Sequence, residues 1–341
     1  MWDDLSTVAA RFSDPHEFAS SPLYRALAAT VAEQPRLLRL AAQAQPGVQP
    51  TFLFFGAVHA LLLAGIQHEL LRYYPSLVGD AARPAEQAGP ALINFCLLHE
   101  DQLSAIIRTR LVQSNVVRRA LALRYGMAAI HRDMLERGLS SPIHLIEVGA
   151  SAGLLLRYNR YGYTLGGQRF GDQQSPVQIV GEWRGDGPVP DLDTLPSLAS
   201  VTGIDLNPLD SANPIDRRWL EALVWPENRY EADLLHQALA LTATDPPRIL
   251  AGDAIEVLSE VAATLKDGRP RVVFHAITRL HVPPDRLAAF DGAIRGLGAD
   301  ASLYHLSLEG QGELDLRCPD GPLASLARVG GRVEWIAPVS G

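Results

Sequence analysis

The chain has little cysteine: Cys96 and Cys318 are the only two in 341 residues. They lie far apart and match no C-x-x-C or zinc spacing, which argues against a disulfide framework or a zinc site and leaves two ordinary thiols. Basic clusters are also missing. The net charge of −8 and pI near 5.7 make a nucleic-acid backbone a poor partner, so a small molecule or a protein is the expected one. No apolar run is long enough for a membrane. Residues 52–66 are too few for the ~20 a span needs, and they contain His59. The opening Met1-Trp2-Asp3-Asp4 has no basic flank or apolar core of a signal peptide, so a cytoplasmic protein is expected. No H-E-x-x-H pair, internal repeat or low-complexity tract occurs. His99-Glu100-Asp101 and His68-Glu69 are adjacent residues that do not share a helix face, so no metal is expected.

What is present falls into two textures. Residues 1–140 read as helical, with three-and-four apolar spacing over 23–32, 37–42, 52–71, 91–103 and 116–135, punctuated by prolines. Ser140-Ser141-Pro142 marks a joint. From 141 to 341, short β-branched runs alternate with helical patterns. Strands are expected at 144–148, 201–206, 248–251, 271–276 and 302–308. Helices are expected at 217–223, 229–243, 254–265 and 284–296. This alternation predicts an α/β fold with a mostly parallel sheet and crossover helices. An insert at 158–200 suggests a hairpin around 161–180, and late strands are expected at 313–317 and 331–336.

The chemistry concentrates where the first strand stops, in Glu147-Val148-Gly149-Ala150-Ser151-Ala152-Gly153. Tiny side chains let a ligand approach the backbone, and a following helix would offer free N–H groups. The stretch admits three readings. As Gly-x-Ser-x-Gly it makes Ser151 a hydrolase nucleophile, with Asp205 or Asp253 as the acid and His275, His281 or His305 as the base. That fold, however, needs strands before the elbow, and helices stand there instead. As a dinucleotide fingerprint it fails, because G-x-G-x-x-G is absent.

As a strand ending in Glu before Gly-x-x-x-Gly, it resembles the first motif of class I S-adenosylmethionine-dependent methyltransferases, with Ser151 at their central glycine. The resemblance implies a Rossmann-like sheet of about seven strands behind an all-helical N-terminal cap domain. It implies S-adenosylmethionine as cofactor, held by Glu147, Gly149, Ala150, Ser151 and Gly153. Asp205, ending the second strand, would take the ribose hydroxyls, and Asp253-Ala254, after the third, the adenine. His275, ending the fourth strand, is the candidate general base.

Three longer segments are similar to a bacterial family, domain of unknown function 2332. They are Arg110 to Arg118, Glu147 to Gly153 running on towards Tyr163, and the string Gly203-x-Asp205-x-x-Pro208-x-Asp210 through Pro214-x-Asp216-Arg217-x-Trp219 to Trp225-Pro226. Val116 and Leu155 depart from that family's usual Glu and Asn, which implies, if those side chains touch substrate, a member that differs in substrate or activity. Arg110, Gln113 and Asn115, read as lying on a helix, and Asp210 are substrate-pocket candidates. Asp216 is read as the N-cap of helix 217–223, and Trp219 and Trp225 as packing residues. Two further functions stay open: a non-catalytic protein of the same fold that binds a nucleoside-like effector, and the Ser151 hydrolase.

Overall fold

A computed structural model describes residues 4–139 and 142–339. The expected joint at Ser140-Ser141 lies outside the described residues. The chain forms two compact units: Met1–Asn115 with Asn213–His236, and Val116–Ala212 with Gln237–Gly341.

The first unit is helical. Its helices run Leu5–Phe12, Pro22–Ala32, Pro35–Ala41, Pro50–Leu63, Gly89–Leu98, Glu100–Thr109 and Pro214–Ala222. Four of them begin on proline, which fits the first turn because its missing N–H has no intrahelical partner there. Two expected helices are broken. The run 52–71 stops at Leu63, because Gly65 turns left-handed (φ 91°) and a 3-10 turn, Glu69–Tyr73, follows. The run 91–103 splits at His99, whose φ of −120° and ψ of 24° leave the helical region. Two further expectations fail here. Residues 110–116 are not helical, so Arg110, Gln113 and Asn115 sit on an irregular segment. Asp216 is not a cap either: the helix starts at Pro214, and Asn213 caps it by accepting from the Ile215 N–H at 2.8 Å.

The core of this unit is aromatic. Tyr24 stacks on Phe55 at 4.7 Å, and Phe18 meets Phe52, Phe55 and Trp225. Trp219 is buried, with its indole N–H on the Leu111 carbonyl at 3.0 Å. Both tryptophans are therefore packing residues, as their spacing suggests.

The second unit holds one sheet of eleven strands rather than about seven. In chain order they are β1 Ile143–Val148, β2 Gly162–Leu165, β3 Gln168–Gly171, β4 Gln178–Trp183, β5 Leu198–Asp205, β6 Arg248–Ala251, β7 Arg271–Ala276, β8 Leu303–Glu309, β9 Glu313–Arg317, β10 Leu323–Val329 and β11 Trp335–Pro338. Their spatial order is β3-β2-β4-β11-β10-β9-β8-β7-β1-β5-β6. The segment from β6 to β8 is parallel throughout, as are β11–β4 and β4–β2, while β8 to β11 run antiparallel. The extra strands come from the insert (β2–β4) and from β10. The late strand expected at 331–336 is β11, which forms an antiparallel hairpin with β10 and lies inside the sheet, between β10 and β4.

Every residue of β1 is buried, as a strand with neighbours on both sides and cover on both faces requires. On one face, Ile146, Val148, Ile204 and Val273 pack with Val257 and Leu258 of helix Ala254–Thr264 and with Phe290 and Ile294 of helix Leu287–Gly296. On the other face, helix Arg119–Glu136 presses on β8: a Cβ at Gly126 would collide with the Leu306 side chain.

Candidate functional site

The parallel strands set the site. Taken in chain order, β1, β5, β6, β7 and β8 lie as third, second, first, fourth and fifth, so the winding reverses between β1 and β7. In open α/β sheets, ligands bind beyond the carboxyl ends of the strands at such a reversal. The turn Gly149–Gly153 stands there.

The turn is strained and tightly fitted. Gly149, Ser151 and Gly153 have φ of 78°, 50° and 71°. Across the reversal, Ile277 after β7 also has a positive φ, 54°, although a β-branched residue rarely adopts it. Non-glycine residues in this region each cost about 1–3 kcal/mol and cluster at functional sites. Thr278 explains Gly149. Its hydroxyl donates to the Val148 carbonyl at 3.1 Å, and a Cβ on residue 149 would clash with it. Ala150 fits because β5 carries Gly203 beneath it. One expected part is missing. No α-helix follows the turn; a 3-10 helix, Leu155–Arg160, takes its place.

Asp205, at the tip of β5, organises the turn. Its Oδ2 accepts from the Ser151 N–H at 2.7 Å and its Oδ1 from the Asn207 N–H at 2.8 Å. The backbone amides of Gly149 and Ala150 donate to the Ile204 carbonyl at 2.8 and 3.1 Å. Glu147, on the neighbouring strand and in register with Gly203, is 3% exposed, and its Oε2 has no hydrogen-bond partner. Burial, then the nearby Asp205 charge, push its carboxyl well above the usual carboxylate range, with Arg119 pulling the other way.

Asp253 caps helix Ala254–Thr264 through Oδ1, which accepts from the Ile255 N–H at 2.9 Å, while Oδ2 accepts from Arg286 at 2.5 Å. It stands at the tip of β6, as expected, with both oxygens engaged. Ala254 is the first residue of that helix. Among the other polar candidates, Arg110 pairs with Asp216 at 2.8 Å, the Asn115 amide donates to the Gln113 carbonyl at 3.2 Å, and Asp210 accepts from the Ala212 N–H at 2.8 Å. The first three belong to the helical unit, and Asp210 to the sheet unit.

His275 is fully buried in β7. Its Nδ1 lies 2.7 Å from Glu309 Oε1, and its Nε2 lies 2.9 Å from the His305 Nε2. Glu309 Oε1 also accepts from the Thr278 and Arg279 N–H groups at 2.9 and 3.0 Å. Burial acts to raise the Glu309 carboxyl, but the His275 bond and these amides outweigh it and hold it below its ordinary value. Burial, then His275 and Arg317, push the His305 imidazole down to about 3. With both ring nitrogens engaged, His275 positions Glu309 and the loop after β7.

Three features escaped the sequence reading. Arg119, the first residue of helix Arg119–Glu136, lies within electrostatic reach of Glu309 and Glu147. A charge opening an apolar helix reads as a solvated end, so no signal marks it. Leu206, beside Asp205, is 75% exposed, and Leu280, after β7, is 60% exposed, which puts apolar surface beside the tips. His144, Ser200 and Asp267 form a hydrogen-bonded chain at 2.7 and 3.0 Å, at the opposite ends of β1 and β5 from the turn. There both ring nitrogens of a buried imidazole are satisfied, which is what burial demands.

Both cysteines are free, Cys96 buried and Cys318 half-buried. Among the described residues no helix is long and apolar enough to cross a membrane, and no group of three His, Cys, Asp or Glu is placed to hold a metal ion.

Fold and site together define an α/β protein with a large, mostly parallel sheet, a strained small-residue turn at its winding reversal and a buried carboxyl beside it. The model of a bacterial family, uncharacterized proteins conserved in bacteria (domain of unknown function 2332), matches residues 7–337. The chain belongs to that family. Curated proteins give no match.

Proposed function

We propose that the protein transfers a methyl group from S-adenosylmethionine to a small-molecule acceptor, with the cofactor lying across the tips of β1, β5 and β6. The observation that carries this reading is the pairing of a buried, unpartnered Glu147 with Asp205 on adjacent strands beside a turn of tiny residues. The missing helix N-terminus sharpens it. A dinucleotide places its pyrophosphate on such a terminus, whereas here a 3-10 helix follows the turn. Glu147, Asp205 and Glu309 further disfavour phosphate and favour a cationic sulfonium. Adenosylmethionine has no phosphate and carries that cation.

The residues then divide the work. The ribose diol is assigned to Asp205, whose two oxygens also accept from the Ser151 and Asn207 amides and so fix its orientation at the turn. Leu206 offers an apolar surface to the flat adenine ring. When bound, the cofactor supplies an electrophilic methyl carbon. The protein's part is to hold the acceptor within ~3–3.5 Å of that carbon and to exclude water. No general base is assigned. The burial of His275 favours one rival, a protein that binds the same kind of nucleoside without turnover.

Calorimetry on the full chain tests the proposal. Adenosylmethionine and adenosylhomocysteine are expected to bind, and Asp205→Ala to abolish binding. Absence of binding at millimolar ligand overturns the reading. Binding without turnover across an acceptor panel selects the effector rival.

A further inference from the structure

We infer that Glu309 is a positioning residue for the ligand at the turn: it clamps the strained loop after β7 against Gly149, and with His275 and His305 it sets the acidity at which that ligand is released. This rests on the proposed ligand site and adds what holds one wall of it in place.

The loop is costly beside the turn. Ile277 sits at φ 54°, with its N–H tied back to the Leu308 carbonyl at 2.8 Å. A strained residue persists only where its surroundings over-determine it. Glu309 does this for the next two residues, because its Oε1 accepts from the Thr278 and Arg279 N–H groups at 2.9 and 3.0 Å. Thr278 then reaches the turn. Its hydroxyl donates to the Val148 carbonyl at 3.1 Å and fills the space that a Cβ on residue 149 would need. One residue thus joins the carboxylate to the backbone on which the ligand is proposed to lie. A second tie, the Arg279–Asp291 pair at 3.0 Å, stands in more water than Glu309 and holds less firmly.

The imidazoles make the clamp responsive to protons. His275 Nδ1 lies 2.7 Å from the same Oε1, and the Nε2 atoms of His275 and His305 lie 2.9 Å apart. In that last contact one nitrogen donates and the other accepts, so the bridge holds a single proton and the intact pair carries at most one charge. A second proton would set two N–H groups head to head and break it. The charged groups around the chain come from four elements. Glu313, Asp315 and Arg317 on β9 are in register with Glu309, Ser307 and His305. Asp291 of helix Leu287–Gly296 and Arg279 of the loop act on His305, and Arg119 acts on Glu309. Burial raises the Glu309 carboxyl, but the His275 bond and the loop amides hold it below its ordinary 4.5. The clamp is therefore closed above 4.5 and opens as pH falls through the folded value of Glu309.

Amide hydrogen exchange on the full chain, followed into acid and expressed relative to unfolded rates, reads the clamp without ligand. In wild type, the Thr278 and Arg279 amides are expected to lose protection below 4.5 while Leu145, buried in β1, keeps its own. Glu309→Gln keeps an acceptor oxygen but cannot titrate, so it should erase that step. Glu309→Ala should speed exchange of both amides about 10- to 100-fold at neutral pH, the range for bonds to a charged group. His275→Phe should move the step up by about one pH unit. Calorimetric affinity for adenosylhomocysteine should fall through the same step in wild type and show no such fall in Glu309→Gln. The inference is overturned if Glu309→Gln keeps the step, if Thr278 and Arg279 open only together with Leu145, or if wild-type affinity stays level while the loop opens. If no adenosyl ligand binds at any pH, the functional reading falls and takes the ligand half of this inference with it, while exchange still decides the clamp.

Discussion

The two units treat a glutamate withdrawn from water in opposite ways, half-buried Glu227 in one and fully buried Glu147 in the other. In the helical unit, Glu227 accepts from the Ser21 hydroxyl at 2.7 Å and the Leu23 N–H at 2.9 Å, completing the N-terminus of helix Pro22–Ala32 that Ser21 caps. In the sheet unit, Glu147 is buried among strands with an oxygen left unmet. The first carboxylate is structural, and removing it harms the fold. The second burdens the fold, with no hydrogen bond to offset its burial.

The largest effect expected from that contrast is at Glu227. Replacing it with alanine removes two hydrogen bonds to a charged acceptor, so a loss of about 3 kcal/mol is expected. Thermal and urea unfolding of the full chain would measure it, and a loss below about 0.5 kcal/mol, the level of an ordinary surface site, would end the comparison. Next is Gly149→Ala, which forces a side chain into a left-handed position against Thr278. It should cost about 1–3 kcal/mol and weaken ligand binding with it, whereas Gly138→Ala, strained but with nothing nearby, should spare binding.

Acid separates the units by sign. Burial lowers His59, in the helical unit, to about 4, against the pull of its bond to the Ala222 carbonyl. The unfolded chain protonates this group near 6.5, so its contribution is intact above 6.5 and is lost as pH falls towards 4. His59→Gln should flatten the stability profile in that window by up to about 1.4 kcal/mol per pH unit. An unchanged slope would mean that His59 is not neutral in the fold. Glu147 runs the other way. Its folded value is raised, so its contribution is intact below 4.5 and is lost as pH climbs through the folded value. The smallest effect follows: Glu147→Gln should stabilise the protein by about 1 kcal/mol at pH 8, with no gain at pH 4. Stabilisation of equal size at both would show that charge is not the cause.

The tips of the sheet were legible in the sequence because each of these β-branched runs stops at or beside an acidic residue: Glu147 before Val148-Gly149, Asp205 before Leu206, Asp253 before a helix. Helix ends inside apolar stretches were not. At His99 the hydrophobic spacing runs straight through and no local residue marks the break, whereas at Gly65 the glycine itself was a stop signal that the apolar spacing overrode. The Asn213 cap was readable, since Pro214 marks a first helical turn better than Asp216 marks a cap. The position of β11 was not. Strand pairing depends on a partner distant in the chain, and alternation says nothing about which partner that is. Arg119 was hidden for a related reason: its neighbours Glu147 and Glu309 come together only through the parallel register of β1, β7 and β8.

The interior place of β11 also bears on how the molecule is assembled. Strands β2 to β4 are made early, between β1 and β5, yet β4 finds its second neighbour only when residues 335–338 emerge, pairing Glu182 with Trp335 and Trp183 with Ile336. Until then the hairpin built on Gly166-Gly167 carries an open rim, the kind of unpaired border on which nascent chains stick to one another. Strand β11 acts as a latch: without it the sheet falls into two pieces, with β4 and β10 each presenting an adhesive border.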